Sequence, residues 1–312
     1  MSFLHLLKER QIFKFNSKIG SYYFNLRKKG FKNTQTKSSA VSYALETIRS
    51  ILQKTTHPVV MDFGCFDGHV LGEMKKVVDK KIKLIGIDFN TSILTMAKKQ
   101  HTGIHFYKKD ICAGNFKKFT RSSDMVLCIN TLHEIYSIYG RRGKKAAFDE
   151  QTGKRAVGKA LKNIAVCLKK NGVCILFDGV APSLPPKKLM TIQFSSVHAK
   201  NTFLQFVKEY KTFSPLCTML DTYTYQTNVQ TFSYYITKHQ FLHTPVWKIE
   251  QDECYQYFTK EQFIKVCKHV QLKVEHIECF SPKCNTWQQQ IKILDLNPSF
   301  FTIHILIEAK KQ

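Results

Sequence analysis

The chain has 312 residues, 43% of them hydrophobic, which supports a buried core and excludes a mostly disordered polypeptide. No window approaches eighteen uninterrupted apolar residues, so a membrane-spanning helix is excluded and no membrane partner is expected. Lysine and arginine outnumber aspartate and glutamate by 48 to 23, a formal charge of +25, which reads either as the footprint of a polyanion such as RNA or as lysine bias on a solvated surface.

Residues 1–40 form a basic N-terminal extension, in which Phe13, Phe15, Tyr22, Tyr23, Phe24 and Phe31 interleave with Lys28, Lys29 and Lys32. Two readings are open: a platform on which bases stack, or an amphipathic helix laid on the main domain. The segment lacks the long apolar stretch of a secretory signal, and its few arginines make a mitochondrial presequence a third, weaker fit. Asn33–Ser39 reads as a polar linker. Val41, Tyr43, Ala44, Ile48, Ile51 and Leu52 then recur at helical spacing.

From Pro58 the pattern alternates. Strands are expected at Val59–Phe63, Ile82–Ile87, Ile104–Tyr107, Met125–Ile129 and Val173–Phe177, with helices at Val70–Val78, Ser92–Lys99 and Arg155–Leu168. Strands separated by helices at this spacing imply right-handed βαβ units and a parallel sheet. Residues 183–258 break the rhythm with four prolines and a run of aromatics, and read as helices and loops inserted above the sheet as a cap. Thr259–Val270 reads as a helix with Thr259 and Gln262 in a capping box, followed by strands at Leu272–Phe280 and Phe301–Ile307. The expected organisation is thus an extension (1–40), an α/β core (41–182), a cap (183–258) and a C-terminal helix with the last two strands (259–312).

The ten cysteines show no C-x-x-C pair, and Cys128, Cys167 and Cys174 lie inside apolar runs as small core residues. That usage fits a reducing compartment such as the cytoplasm. Only seven basic residues are arginine, the last at position 155, and few arginines weaken the case for dedicated phosphate recognition.

The sharpest chemical signal is the turn after the first strand, Asp62-Phe63-Gly64-Cys65-Phe66-Asp67-Gly68. Glycines there let backbone approach a ligand, and the next helix offers free N–H groups. The dinucleotide fingerprint G-x-G-x-x-G fails, because Phe66 and His69 stand where its second and third glycines belong. An acid two residues before the first glycine suits an ammonium group instead. Asp88, 24 residues after Gly64, stands where an acid bonds both ribose hydroxyls, beside Phe89. Asp110, next to Ile111, is placed to accept from an exocyclic amine of adenine. Together these acids describe a pocket for an adenosine bearing an amino-acid tail.

On these residues the chain resembles the class I S-adenosylmethionine-dependent methyltransferases over about residues 40–180 and the last two strands. Asp62, Gly64 and Gly68 match the family's glycine loop, Cys65 fits it, and Asp88 and Asp110 match its later acids. Phe66 departs from it, standing where most members place a middle glycine. The resemblance implies a Rossmann-like, seven-stranded, mostly parallel sheet with helices on both faces, and S-adenosylmethionine as cofactor. It implies cofactor contacts from Asp62, Gly64, Cys65, Phe66, Gly68, Asp88, Phe89, Asp110, Ile111 and Asn130.

The segment Asn130-Thr131-Leu132-His133-Glu134-Ile135-Tyr136 resembles the turn that faces the transferring methyl. His133 is the natural base there, and Glu134 orients its imidazole or accepts from the substrate; alternatively both cap the next helix. His133-Glu134 is no zinc motif, since Ser137 replaces the second histidine of H-E-x-x-H, and no metal is expected. Candidate acceptor contacts are Tyr136, Asp178, Lys238, Trp247, Glu250 and Tyr255. The expected activity is methyl transfer to an unidentified acceptor, a small molecule by first reading. RNA methylation and a noncatalytic subunit are the alternatives.

Overall fold

A computed structural model of the chain describes residues 35–78, 82–141, 148–281 and 287–312. The basic, aromatic segment 1–34 lies outside the described residues. Helix α1 (Gln35–Leu52) begins inside the stretch read as a linker, and it buries Ala40, Ala44 and Ile48 at helical spacing. Then follow β1 (Val59–Phe63), α2 (His69–Val77), β2 (Lys83–Asp88), α3 (Thr91–Gln100), β3 (His105–Lys108), β4 (Ser123–Ile129), α4 (Leu132–Tyr139), α5 (Glu150–Cys167) and β5 (Leu168–Gly179). The C-terminal part adds α9 (Lys260–His269), β9 (Leu272–Phe280) and β11 (His304–Lys311).

Seven strands form one sheet in the order β3-β2-β1-β4-β5-β11-β9. The pairs among β1–β5 are parallel, and β11 runs antiparallel to both its neighbours. Side chains alternate across the sheet. Val60, Leu84, Met125, Leu127 and Ile175 face one core, built with Ala44 and Ile48 of α1, Leu71 of α2 and Leu94 of α3. Met61, Phe63, Ile87, Val126 and Cys128 face the other, built with Val157, Leu161 and Ile164 of α5 and Phe263 of α9. A sheet buried on both faces explains why its strands read as continuous apolar runs.

The cap differs from the expected helices and loops. It contains β6 (Leu189–Phe194), α6 (Val197–Glu209), β7 (Thr218–Met219), β8 (Thr224–Asn228), α7 (Val229–Lys238) and α8 (Trp247–Glu250). Its strands make a second, antiparallel sheet in the order β10-β6-β8-β7. The edge strand β10 (Ile291–Ile293) comes from beyond α9, just after the short α10 (Trp287–Gln290). In β6, Met190, Ile192 and Phe194 are buried while Leu189, Thr191 and Gln193 lie outward, the period-2 pattern of a half-buried strand. The prolines punctuate this sheet rather than exclude it. Between β9 and β11 the chain therefore makes an excursion to the cap's sheet and returns to pair antiparallel with β9.

Among the described residues no helix is long and apolar enough to cross a membrane. The described cysteines are all unpaired.

Candidate functional site

The carboxyl ends of β1, β2, β3 and β5 lie along one edge of the parallel sheet, and Asp62, Asp88, Asp110 and Asp178 lie at or just beyond those ends. The turn from β1 to α2 places three residues in the left-handed region: Gly64 (φ 79°), Phe66 (φ 51°) and Gly68 (φ 75°). Left-handed backbone is routine for glycine and costs an ordinary L-residue about 1–2 kcal/mol, so Phe66 is held there by its surroundings. One holder is Asp88, whose Oδ2 accepts the Phe66 N–H at 3.0 Å. Its Oδ1 accepts the Asn90 N–H at 2.9 Å, fixing the carboxylate at the tip of β2. Gly64 N–H and Cys65 N–H both donate to the Ile87 carbonyl, tying the turn to the same strand. A side chain on Gly64 would overlap Thr131, which follows β4, so this glycine lets the first and fourth strand ends meet.

Asp62 and Asp88 are buried, and both raise the Cys65 thiol's pKa through their negative field, after burial itself, the larger cause. Phe89 is half-buried beside them. Asp110 is engaged by its own fold: Oδ1 accepts the N–H groups of Cys112 and Ala113, and Oδ2 accepts the Tyr139 hydroxyl at 2.7 Å. Ile111 is packed in the core beside it. Asn130 is left-handed (φ 50°), and its N–H donates to the Phe177 carbonyl at 2.7 Å, which bends the chain off β4 toward β5.

The fit to an adenosine carrying an amino-acid tail follows from these donors and acceptors. A left-handed glycine turn opens a helix N-terminus beside buried Asp62, and fixed carboxylates stand at the next two strand tips. These acceptors are of the kinds that an ammonium, ribose hydroxyls and an amine would require.

The second cluster forms where β5 ends. The His133 Nδ1 lies 2.7 Å from Asp178 Oδ1. The other oxygen of Asp178 accepts the backbone N–H groups of Leu132 (2.8 Å) and His133 (3.2 Å), and Oδ1 also accepts that of Gly179. Thr131 makes no side-chain cap of α4, so Asp178 caps that helix from a neighbouring strand and orients its first-turn histidine at once. A carboxylate only accepts when ionised, so Nδ1 carries the proton of the neutral ring and Nε2 presents a lone pair. Among the described residues nothing hydrogen-bonds Nε2. Burial alone would lower the imidazole's pKa; the charge and hydrogen bond of Asp178, together with the charges of Glu134 and Glu253, outweigh it and hold the ring above 6.5. Glu134 and Glu253 add to the rise through their charge, whereas the orienting partner of the ring is Asp178 and not Glu134.

Of the expected acceptor contacts, Asp178 is part of this dyad and three more, Tyr255, Glu250 and Lys238, gather beside it. Tyr255 sets its ring edge-on to His133, centroids 4.3 Å apart at 65°. The Tyr255 hydroxyl donates to Glu250 Oε2 at 2.6 Å, and Lys238 Nζ reaches the same oxygen at 2.7 Å. Two do not converge. Tyr136 is enclosed in the core, stacked on Tyr257 and packed against Gly153. Trp247 belongs to the cap's own core, its indole N–H donating to Glu209 and its ring against Phe206. Sequence reasoning passed over Gly179, where any side chain would strike the Tyr255 backbone; only glycine lets the cap segment cross the end of β5 here. A glycine directly after Asp178 at a strand end was the available signal.

The family model described as a methyltransferase domain matches residues 54–262, well over half of the chain. No curated protein matches. Solved structures that resemble the chain include an S-adenosylmethionine-dependent methyltransferase from Mesorhizobium loti, at 13% identity and TM-score 0.45, covering 82% of this chain and 91% of that one. A TehB-like methyltransferase from Corynebacterium glutamicum matches at 12% identity and TM-score 0.45, covering 94% and 96%. One from Methanosarcina mazei matches at 13% and 0.43, covering 84% and 96%.

Proposed function

The chain belongs to the methyltransferase domain family, and from that premise we propose that it transfers a methyl group from S-adenosylmethionine to an acceptor carrying a removable proton on oxygen or nitrogen. The observation that carries this reading is the His133–Asp178 dyad at the turn after β4. When bound, S-adenosylmethionine supplies an electrophilic methyl on a sulfonium. Everything else falls to the chain's own residues. Asp62 and the Gly64–Gly68 turn hold the amino-acid tail, Asp88 holds the ribose, and Asp110 with Ile111 bounds the adenine. Asn130, Phe89, Cys65 and Phe66 line the same edge. At the acceptor, His133 Nε2 takes the proton that its attacking atom loses, and Asp178 holds the imidazolium that forms. Methyl transfer is an in-line displacement, so alignment of acceptor and donor is the second contribution.

Titration of the full chain with S-adenosylhomocysteine by calorimetry tests the cofactor half. We expect saturable binding in the wild type, its loss in Asp88→Ala and its retention in His133→Ala. An absence of any binding by the wild type would leave the noncatalytic-subunit reading in its place. The charge of +25 favours RNA as a second class of acceptor.

A further inference from the structure

The cap places a charged pair in its interior. Lys238, the last residue of α7, and Glu250, the last of α8, are 2.7 Å apart with side chains 0% and 1% exposed. Removing two charges from water is expensive, and their attraction regains that cost only with good geometry and further hydrogen bonds. Apolar residues of similar volume often do as well or better for stability. What this pair does have is a shared third partner. Glu250 Oε2 accepts the Tyr255 hydroxyl at 2.6 Å, and Lys238 Nζ sits 3.5 Å from the centre of the Tyr255 ring. The same ring also contacts the His133 imidazole, with centroids 4.3 Å apart.

We propose that the Lys238–Glu250 pair and Tyr255 form a positioning device for His133, clamping the imidazole from the cap while Asp178 clamps it from the sheet. Tyr255 is tethered at both its polar groups: its hydroxyl by Glu250, and its negative ring face by the lysine cation. So held, the ring is a fixed wall against which the imidazole keeps one orientation, and Asp178 keeps it in one tautomer. The open Gly179 lets the Tyr255 backbone pass close enough for this contact. The cap is thereby coupled to the acceptor site: it seats correctly only with the buried pair made, and the pair fixes the ring that fixes His133. The charged and titratable groups facing His133 are Asp178 from β5, Glu134 from α4 and Glu253 from the cap segment, with Lys238 and Glu250 one ring further away.

The inference rests on reading His133 as the base, but its test observes the imidazole itself. The full chain with ¹⁵N-labelled histidine is titrated by long-range ¹H–¹⁵N NMR as wild type, Tyr255→Phe, Tyr255→Leu and the double variant Lys238→Met/Glu250→Gln. The double variant leaves no unpaired buried charge, and its circular dichroism checks the fold. We expect a single Nδ1–H tautomer of His133 in the wild type and in Tyr255→Phe, which keeps the ring and its cation. In Tyr255→Leu and the double variant we expect a second tautomer, with the titration midpoint falling toward the ordinary value of about 6.5. Unchanged His133 shifts, tautomer and midpoint in both of those variants would overturn the proposal. Should the double variant fail to fold, Tyr255→Leu against Tyr255→Phe decides alone. Failure of the wild type to bind S-adenosylhomocysteine would instead count against the methyltransferase reading, and leaves the NMR result standing by itself.

Discussion

At the scale of single residues, Asp178 carries several duties, because one carboxylate caps α4, orients His133 and receives Gly179. Asp178→Asn keeps the shape and loses the charge. An amide in that place also lets Nδ1 lose its proton preference. We expect turnover to fall about 10²-fold or more, the usual worth of a positioned base, measured on whichever acceptor labels with methyl-tritiated donor. His133 also sets a pH dependence whose sign is fixed. As a base it must be neutral, so turnover rises with pH through a midpoint above 6.5. Stability moves the other way. A raised folded pKa means that the folded state holds the proton more tightly; that stabilisation is complete below the unfolded value and is lost as pH rises through the folded one. Thermal melts of wild type against His133→Gln across that window check it, the two curves converging at the alkaline end. The histidine and its possible base role were legible in Asn130-Thr131-Leu132-His133, but its partner was not, since Asp178 lies 45 residues away and meets it only through the β4–β5 register.

At the scale of elements, local signals and tertiary contacts divide the work. The α9 capping box is fully local: Thr259 accepts from the Gln262 N–H and Gln262 accepts from the Thr259 N–H, as the four-residue motif requires. Thr259→Ala is expected to cost about 1 kcal/mol by denaturant titration, with no effect on cofactor binding. The glycine turn after β1 is local in its conformation and non-local in its reason. At Gly64 (φ 79°) an alanine is strained by about 1–3 kcal/mol and would also displace Thr131. Gly64→Ala should therefore lower the melting temperature and weaken S-adenosylhomocysteine together. β1 and β9 were legible to the residue: β1 is an apolar run closed by a glycine turn, and β9 sets Leu272, Val274, Ile277 and Cys279 among polar residues after a capped helix. The cap's sheet was not. Its strands are short, one of them has two residues, and β10 joins from almost a hundred residues beyond β6. Period-2 burial in Met190-Thr191-Ile192-Gln193-Phe194 was the available local cue.

At the scale of the whole molecule, the charge of +25 makes one measurement informative. If RNA is the acceptor, affinity of the full chain for a single-stranded RNA should fall steeply and linearly in log–log plots against salt. A flat and negligible affinity assigns the lysines to solvation and leaves a small acceptor. The assembly also explains which readings a linear chain can carry. Alternation of apolar runs with helical periods, a glycine turn with an acid before it, and acids closing the next two strands determined the α/β class, the sheet's parallel core and the edge at which those acids gather. Each of those signals is contained within a few residues or one βαβ unit, where local sterics and periodic burial act. Only the tertiary structure decided that Asp178 rather than Glu134 orients His133, that Tyr136 and Trp247 are packing while Tyr255 touches the imidazole, and that a buried lysine and glutamate stand behind it. Those outcomes depend on which distant strand ends and cap residues come within hydrogen-bond reach. Reach across space is set by register and crossover, quantities that no short stretch of sequence contains.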